Sequence, residues 1–86
     1  MVQKVLITGI AGFIGSHTAL AANALNWDVA GIDSITDYYD PNIKRNNIST
    51  LNAAGITDIH VADLLDCDLQ SILKDVDVVL HCAAQP

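Results

Sequence analysis

The sequence predicts an α/β fold in which helices cover both faces of a doubly wound parallel sheet. Three observations predict it. A glycine-rich turn follows the apolar run 5–7 and opens a helical segment. Strand-like and helix-like segments then alternate along the chain. The strand-like segments are rich in Ile, Val and Leu, which is typical of parallel strands buried on both faces. With 86 residues, the chain forms one small domain at most.

Local signals place each element. We expect strands at 2–8, 29–33, 59–62 and 76–82, and helices at 13–25, 41–54 and 69–74. Asn26 and Gly55 follow the first two helices and suit a left-handed end, while Asp40 and Pro41 suit the cap and first residue of the second helix. Right-handed crossovers then give the strand order 3-2-1-4.

The first predicted helix carries two adjacent stripes along its length. We expect them to form one broad face that packs on the sheet. The stripes are Ile14/Thr18/Ala21/Leu25 and Phe13/His17/Leu20/Ala24.

The turn between the first strand and the first helix has the spacing G-x-x-G-x-x-G, with glycines at Gly9, Gly12 and Gly15. A pyrophosphate binds to the free N–H groups and positive dipole end of a helix N-terminus, and a Cβ at the contact would hold it away. The sequence therefore predicts a dinucleotide site formed by these glycines with the helix-opening Phe13 and Ile14. A signal peptide and a glycine-rich turn of another α/β fold are the alternatives.

Asp33 ends the second predicted strand, 18 residues after Gly15. A carboxylate at this spacing accepts hydrogen bonds from the adenosine ribose and repels a 2′-phosphate. No Lys or Arg occurs in the following ten residues. We therefore predict NAD rather than NADP as the cofactor, the alternative role of Asp33 being that of a strand-end turn residue.

Two further pairs follow strands at the same edge of the sheet. We expect Asp63 and Leu64 to contact the adenine, although Asp63 could equally cap the next helix. Ala83 and Ala84, after the fourth strand, would let the backbone pass close to the nicotinamide.

Charge, hydropathy and the spacing of Cys and His argue against several kinds of partner and site. A net charge of −6 argues against a nucleic-acid or anionic-membrane partner, and no apolar stretch approaches the about 20 residues of a membrane span. Cys67 and Cys82 lie far apart and predict reduced thiols of a cytoplasmic protein. The three histidines lack metal-ligand spacing, so we predict no metal site and interpret them as packing or surface residues.

Several motifs together resemble extended short-chain dehydrogenases/reductases of the nucleotide-sugar epimerase/dehydratase branch. Asp37-Tyr38-Tyr39-Asp40-Pro41 followed by Lys44-Arg45 is similar to UDP-glucuronate 4-epimerases in particular. Ser34 departs from the family's usual Asn. The branch motifs are Thr8-Gly9-x-x-Gly12-Phe13-Ile14-Gly15-Ser16-His17, Gly31-Ile32-Asp33, Asp63-Leu64 and His81-x-Ala83-Ala84-Gln85-Pro86.

The resemblance implies a homodimeric enzyme that epimerises C4 of a UDP-sugar, with NAD taking up and returning the hydride. The family's catalytic Ser/Thr and Tyr-x-x-x-Lys have no counterpart here, because neither Tyr38 nor Tyr39 has a Lys four residues on. We therefore expect residues 1–86 to be the N-terminal portion of a Rossmann domain with no catalytic residue. A sister 4,6-dehydratase or decarboxylase, a non-catalytic NAD-binding module and a truncated product are the alternatives.

Overall fold

The computed structural model describes residues 3–34, 41–61 and 68–82. Its strands form one parallel four-stranded sheet in the order β3-β2-β1-β4, which confirms the predicted α/β fold and strand order. Helices lie between the strands in sequence. The elements are β1 Lys4–Thr8, α1 Phe13–Ala24, β2 Asp28–Asp33, α2 Pro41–Ala53, β3 Asp58–Val61, α3 Leu69–Ile72 and β4 Val78–His81.

The core lies between the two central strands and the helices α1 and α2. Every residue of β1 after Lys4 is buried, as expected for a central parallel strand with neighbours on both sides. Full burial of a side chain such as Leu51 of α2 contributes about 1.5–3 kcal/mol. The core cluster is Val5, Ile7, Ile10, Ala19, Val29, Leu51 and Ile56.

Helix α1 packs through small residues, so the predicted broad apolar face is wrong. Its buried residues are Gly15, Ser16 and Ala19. Phe13 and Ile14, from the predicted stripes, are 76% and 66% exposed. The reason is the close approach of the helix to the preceding turn, which only small side chains allow and which turns the larger ones outward.

The first two helices end as predicted, in left-handed residues. Asn26 has φ 67° and Gly55 has φ 97°. After α1, Trp27 N–H donates to the Ala22 carbonyl at 3.1 Å, and after α2 Ile56 N–H donates to the Leu51 carbonyl at 2.9 Å. Both are the six-to-one bond of a Schellman motif. The predicted cap Asp40 lies outside the described residues.

The sheet has two edges in the described part of the chain. Strand β4 pairs there with β1 alone, as predicted, and Val79 and Leu80 are 49% and 38% exposed on its opposite faces. Val61 of β3 is exposed at the other edge. Across residues 3–34, 41–61 and 68–82, no helix has the length and apolar character needed to cross a bilayer.

Candidate cofactor-binding site

The glycine turn is fixed to the end of β2. Gly9 has φ 70°, a left-handed conformation that a residue without Cβ adopts easily. Its N–H donates to the Ile32 carbonyl at 2.8 Å, and its own carbonyl accepts from Gly12 N–H at 3.0 Å. These bonds hold the turn where the sheet and α1 meet.

The N-terminus of α1 presents backbone donors without an acceptor in the helix. Gly12 is the N-cap, and the first intrahelical bond runs from Ser16 N–H to the Gly12 carbonyl at 2.9 Å. The N–H groups of the three residues between them therefore have no intrahelical acceptor. Among the described residues no side chain caps this end, and the first turn holds no acidic residue. The arrangement fits an anion such as a pyrophosphate.

Two of the glycines bring the turn and the helix together. A Cβ on Gly15 would overlap the Gly9 carbonyl oxygen, and one on Gly12 would lie 3.3 Å from the same atom. Gly15 is therefore required for helix packing, whether or not it also touches a cofactor. The predicted cofactor contacts of Gly9, Gly12 and Gly15 remain predictions.

The Asp33 side chain is buried at the end of β2 and has two polar partners. It is 1% exposed. Its Oδ2 accepts from Ala11 N–H in the glycine turn at 3.0 Å, and its Oδ1 lies 2.7 Å from Lys44 Nζ of α2. The predicted ribose-binding carboxylate is thus fixed between the turn and the second helix.

Sequence reasoning missed Lys44 as a site residue. It lies eleven residues after Asp33, one position beyond the ten that contained no basic residue. Its side chain is only 13% exposed, so the pair is largely shielded from water. The premise that no cation stands near Asp33 is therefore wrong.

Asn47 was missed as well, and it ties α2 to the turn. Its Nδ2 donates to the Ala11 carbonyl at 2.7 Å. Lys44, Asn47 and the buried Leu51 follow one another at spacings of three and four, so they share the helix face that meets the sheet and turn. That periodicity was available in the sequence.

A pocket of about 350 Å³ opens between helix α2 and the ends of β2 and β3, with a volume near the lower limit of ligand pockets. Its described lining residues are Ser34, Arg45, Ile48 and Val61. Ser34 directly follows Asp33, and Arg45 directly follows Lys44. The lining therefore comes from residues that follow Asp33 and Lys44 in the chain, from Ile48 of α2 and from Val61, the last residue of β3.

The histidines of the described residues have protein partners. His17 Nδ1 donates to the Phe13 carbonyl at 2.7 Å, and His60 Nε2 lies 3.1 Å from Asp58 Oδ1. His81 Nδ1 lies 2.7 Å from Thr8 Oγ1, which joins the ends of β4 and β1. No group of metal-binding side chains occurs in the described part of the chain.

Four predicted site residues lie outside the described residues. They are Asp63 and Leu64 after β3, and Ala83 and Ala84 after β4. Cys67 lies outside them too, while Cys82 is a half-buried free thiol.

The model of the NAD dependent epimerase/dehydratase family matches residues 5–86, nearly the whole chain. The chain belongs to this family. The match includes the glycine turn, the open helix N-terminus and Asp33. It confirms the resemblance drawn from the sequence motifs.

Individual members of the NAD dependent epimerase/dehydratase family resemble the chain closely. UDP-glucuronate 4-epimerase 1 from Arabidopsis thaliana is 43% identical over 95% of this chain, which corresponds to 20% of that protein. A UDP-glucuronic acid 4-epimerase from Bacillus cereus, solved with UDP-glucuronic acid and NAD, is 40% identical with a TM-score of 0.79. A variant solved with UDP-4-deoxy-4-fluoro-glucuronic acid and NAD is 39% identical and superposes with a TM-score of 0.84.

The comparisons cover nearly all of this chain but only a small part of each relative. Both Bacillus cereus structures cover 98% of this chain, and the chain covers 27% of each of them. It spans about a fifth of the Arabidopsis relative. The shared part is the one that contains the glycine turn and the first four strands.

Proposed function

We propose that the chain is the NAD-binding N-terminal part of a nucleotide-sugar 4-epimerase that acts on UDP-glucuronate. The observation that carries the proposal is one connected unit. The open N-terminus of α1 and the buried Asp33 carboxylate are joined through the Ala11 N–H bond of 3.0 Å. One element suits a pyrophosphate and the other a ribose, which is the pair of groups that half a dinucleotide presents.

The chain's own residues bind and orient the cofactor. The N–H groups of Phe13, Ile14 and Gly15 hold the pyrophosphate at the helix N-terminus. Asp33 accepts hydrogen bonds from the adenosine ribose, and its bond to Ala11 N–H keeps the carboxylate in position before the cofactor arrives.

The remaining contacts extend the site along the sheet edge. Asp63 and Leu64 contact the adenine, and the small residues Ala83 and Ala84 leave room for the nicotinamide. Bound NAD supplies a hydride acceptor and donor for C4 of the sugar, while the protein supplies binding and orientation.

The catalytic groups are proposed to lie in the remainder of the protein. The Ser/Thr and Tyr-x-x-x-Lys of the resembled family have no match in residues 1–86, so no residue of this chain is assigned a catalytic role. We further propose a cytoplasmic homodimer. The reduced-thiol interpretation of the cysteines supports the compartment, and the family resemblance supports the dimer.

The test uses the full-length protein, purified with its cofactor. Released nucleotide is identified by chromatography, and conversion of UDP-glucuronate is followed by NMR. We expect NAD and the appearance of the C4 epimer, with no carbon dioxide released. UDP-glucose serves as the matched control that lacks the carboxylate.

Each alternative has its own outcome in the same experiment. Carbon dioxide release would indicate a decarboxylase, and loss of water from the sugar would indicate a dehydratase. NAD without turnover of either sugar nucleotide would indicate a non-catalytic module. If the purified protein neither releases NAD nor binds it when it is added, the proposed function as a whole is refuted.

A further inference from the structure

We propose that Asn47 of α2 is a positioning residue for the cofactor's pyrophosphate, acting through the peptide that leads into α1. The inference rests on the proposed NAD-binding function and concerns how the phosphate-binding turn keeps its shape. Its basis is the 2.7 Å hydrogen bond that Asn47 Nδ2 donates to the Ala11 carbonyl oxygen.

The peptide between Ala11 and Gly12 is held at both of its polar atoms. Its carbonyl accepts from Asn47, and its N–H, which belongs to Gly12, donates to the Gly9 carbonyl at 3.0 Å. Ala11 is 0% exposed, so little water can replace Asn47 as the partner of that carbonyl. Because Gly12 is the N-cap of α1, the direction of this peptide determines where the free N–H groups of the first helical turn lie.

The glycine at position 12 makes this peptide easy to reverse. Reversal of its plane would carry φ of Gly12 from −76° to positive values, which a residue without Cβ adopts readily. A side chain would oppose the reversal, but its Cβ would lie 3.3 Å from the Gly9 carbonyl oxygen and, on the proposed function, against the pyrophosphate. The turn therefore needs a restraint from outside itself, and Asn47 supplies one.

This restraint should matter most for the phosphate part of the ligand. Donors that are fixed before the ligand arrives bind it more tightly, because binding then carries no cost of ordering them. Loss of the Asn47 bond should weaken pyrophosphate binding by about 2- to 12-fold, the range of one neutral hydrogen bond. Binding of the nucleoside should change less, because Asp33 belongs to β2 and keeps its contact with Lys44.

The test compares adenosine with adenosine 5′-diphosphate, by ligand-observed NMR on the full-length protein freed of cofactor. The ratio of their dissociation constants gives the gain in affinity from the pyrophosphate. Asn47→Leu removes the amide with little change in side-chain size, and Asn47→Ala removes the side chain beyond Cβ. Both should lower the gain by about 2- to 12-fold. Asn46→Ala, at the exposed neighbouring position, is the matched control and should keep the wild-type gain.

Hydrogen exchange, followed by mass spectrometry of peptic fragments, separates a local effect from a general loss of stability. In Asn47→Leu, the fragment containing the glycine turn should exchange faster while the β2 fragment keeps its wild-type rate. Added adenosine 5′-diphosphate should slow the turn again. A wild-type pyrophosphate gain in both Asn47 variants, or equal acceleration of both fragments, would overturn the proposal.

Failure of the proposed function gives a different result. Wild-type protein that binds adenosine 5′-diphosphate no more tightly than adenosine would refute the phosphate site, and with it the proposed function. A clear gain in the wild-type protein that persists unchanged in Asn47→Leu and Asn47→Ala would refute this inference alone.

Discussion

The hydrogen bond and the ion pair of Asp33 predict that removal of its carboxylate lowers the free energy of unfolding as well as weakening the candidate site. In Asp33→Ala, the Ala11 N–H loses its acceptor, which costs about 1–3 kcal/mol for a buried donor. Lys44 keeps its charge but loses the carboxylate 2.7 Å away. Removal of one partner of a buried pair costs about 3–5 kcal/mol in all. Since Lys44 retains 13% exposure, we expect the lower part of that range.

A double-mutant cycle separates the pair from its surroundings. Asp33→Asn, Lys44→Met and the double variant are unfolded in urea as cofactor-free full-length protein, and the coupling energy is taken from the four free energies of unfolding. We expect a coupling of about 1–3 kcal/mol, as for residues in direct contact within one network.

The same samples give a local measurement. Hydrogen exchange at the Ala11 amide should accelerate in Asp33→Ala and much less in Asp33→Asn, where the side-chain oxygen still accepts the bond. A coupling below about 0.5 kcal/mol, the limit of additivity, would refute the pair's structural role. Unchanged exchange at Ala11 in Asp33→Ala would refute the buried hydrogen bond.

Three other predictions follow from the described contacts. Gly12→Val should abolish NAD binding while circular dichroism shows native helix content, because a Cβ there would lie 3.3 Å from the Gly9 carbonyl oxygen and, on the proposed function, against the pyrophosphate; retained NAD binding would show that the turn holds no phosphate. Asn47→Ala should lower the free energy of unfolding by about 1 kcal/mol, since its 2.7 Å bond to the glycine turn is lost; Asn46→Ala is the control. The 86-residue chain expressed alone should associate through β4, and Val79→Lys should reduce this in size exclusion.

The fold was accessible from the sequence because its signals are local. Apolar strands, intervening helical segments and the residues that end them each act over a few positions. Asn26 and Gly55 illustrate this, since a left-handed residue ends a helix wherever it stands. The right-handed crossover rule then converts a one-dimensional order into the sheet order 3-2-1-4.

The orientation of α1 could not be obtained from hydrophobicity alone. Side-chain hydropathy favoured a face containing Phe13 and Ile14, whereas the structure buries Gly15 and Ala19. The controlling contact is between Gly15 and the Gly9 carbonyl, where a Cβ has no room. Steric contact between the helix and the turn therefore outweighs the gain from burying the larger residues.

The ion pair of Asp33 with Lys44 could not be predicted by searching a fixed number of residues after Asp33. In a parallel sheet, a strand ends at the same edge at which the following helix begins, however long the connection between them. A carboxylate at the strand end therefore lies near the first turn of that helix. Lys44 stands in that first turn, so its distance from Asp33 in space is set by topology and not by the ten residues between them. Charges near a ribose-binding acid are therefore best sought in the first turn of the next helix. By that criterion Asp33 belongs to an ion pair with Lys44 of the following helix.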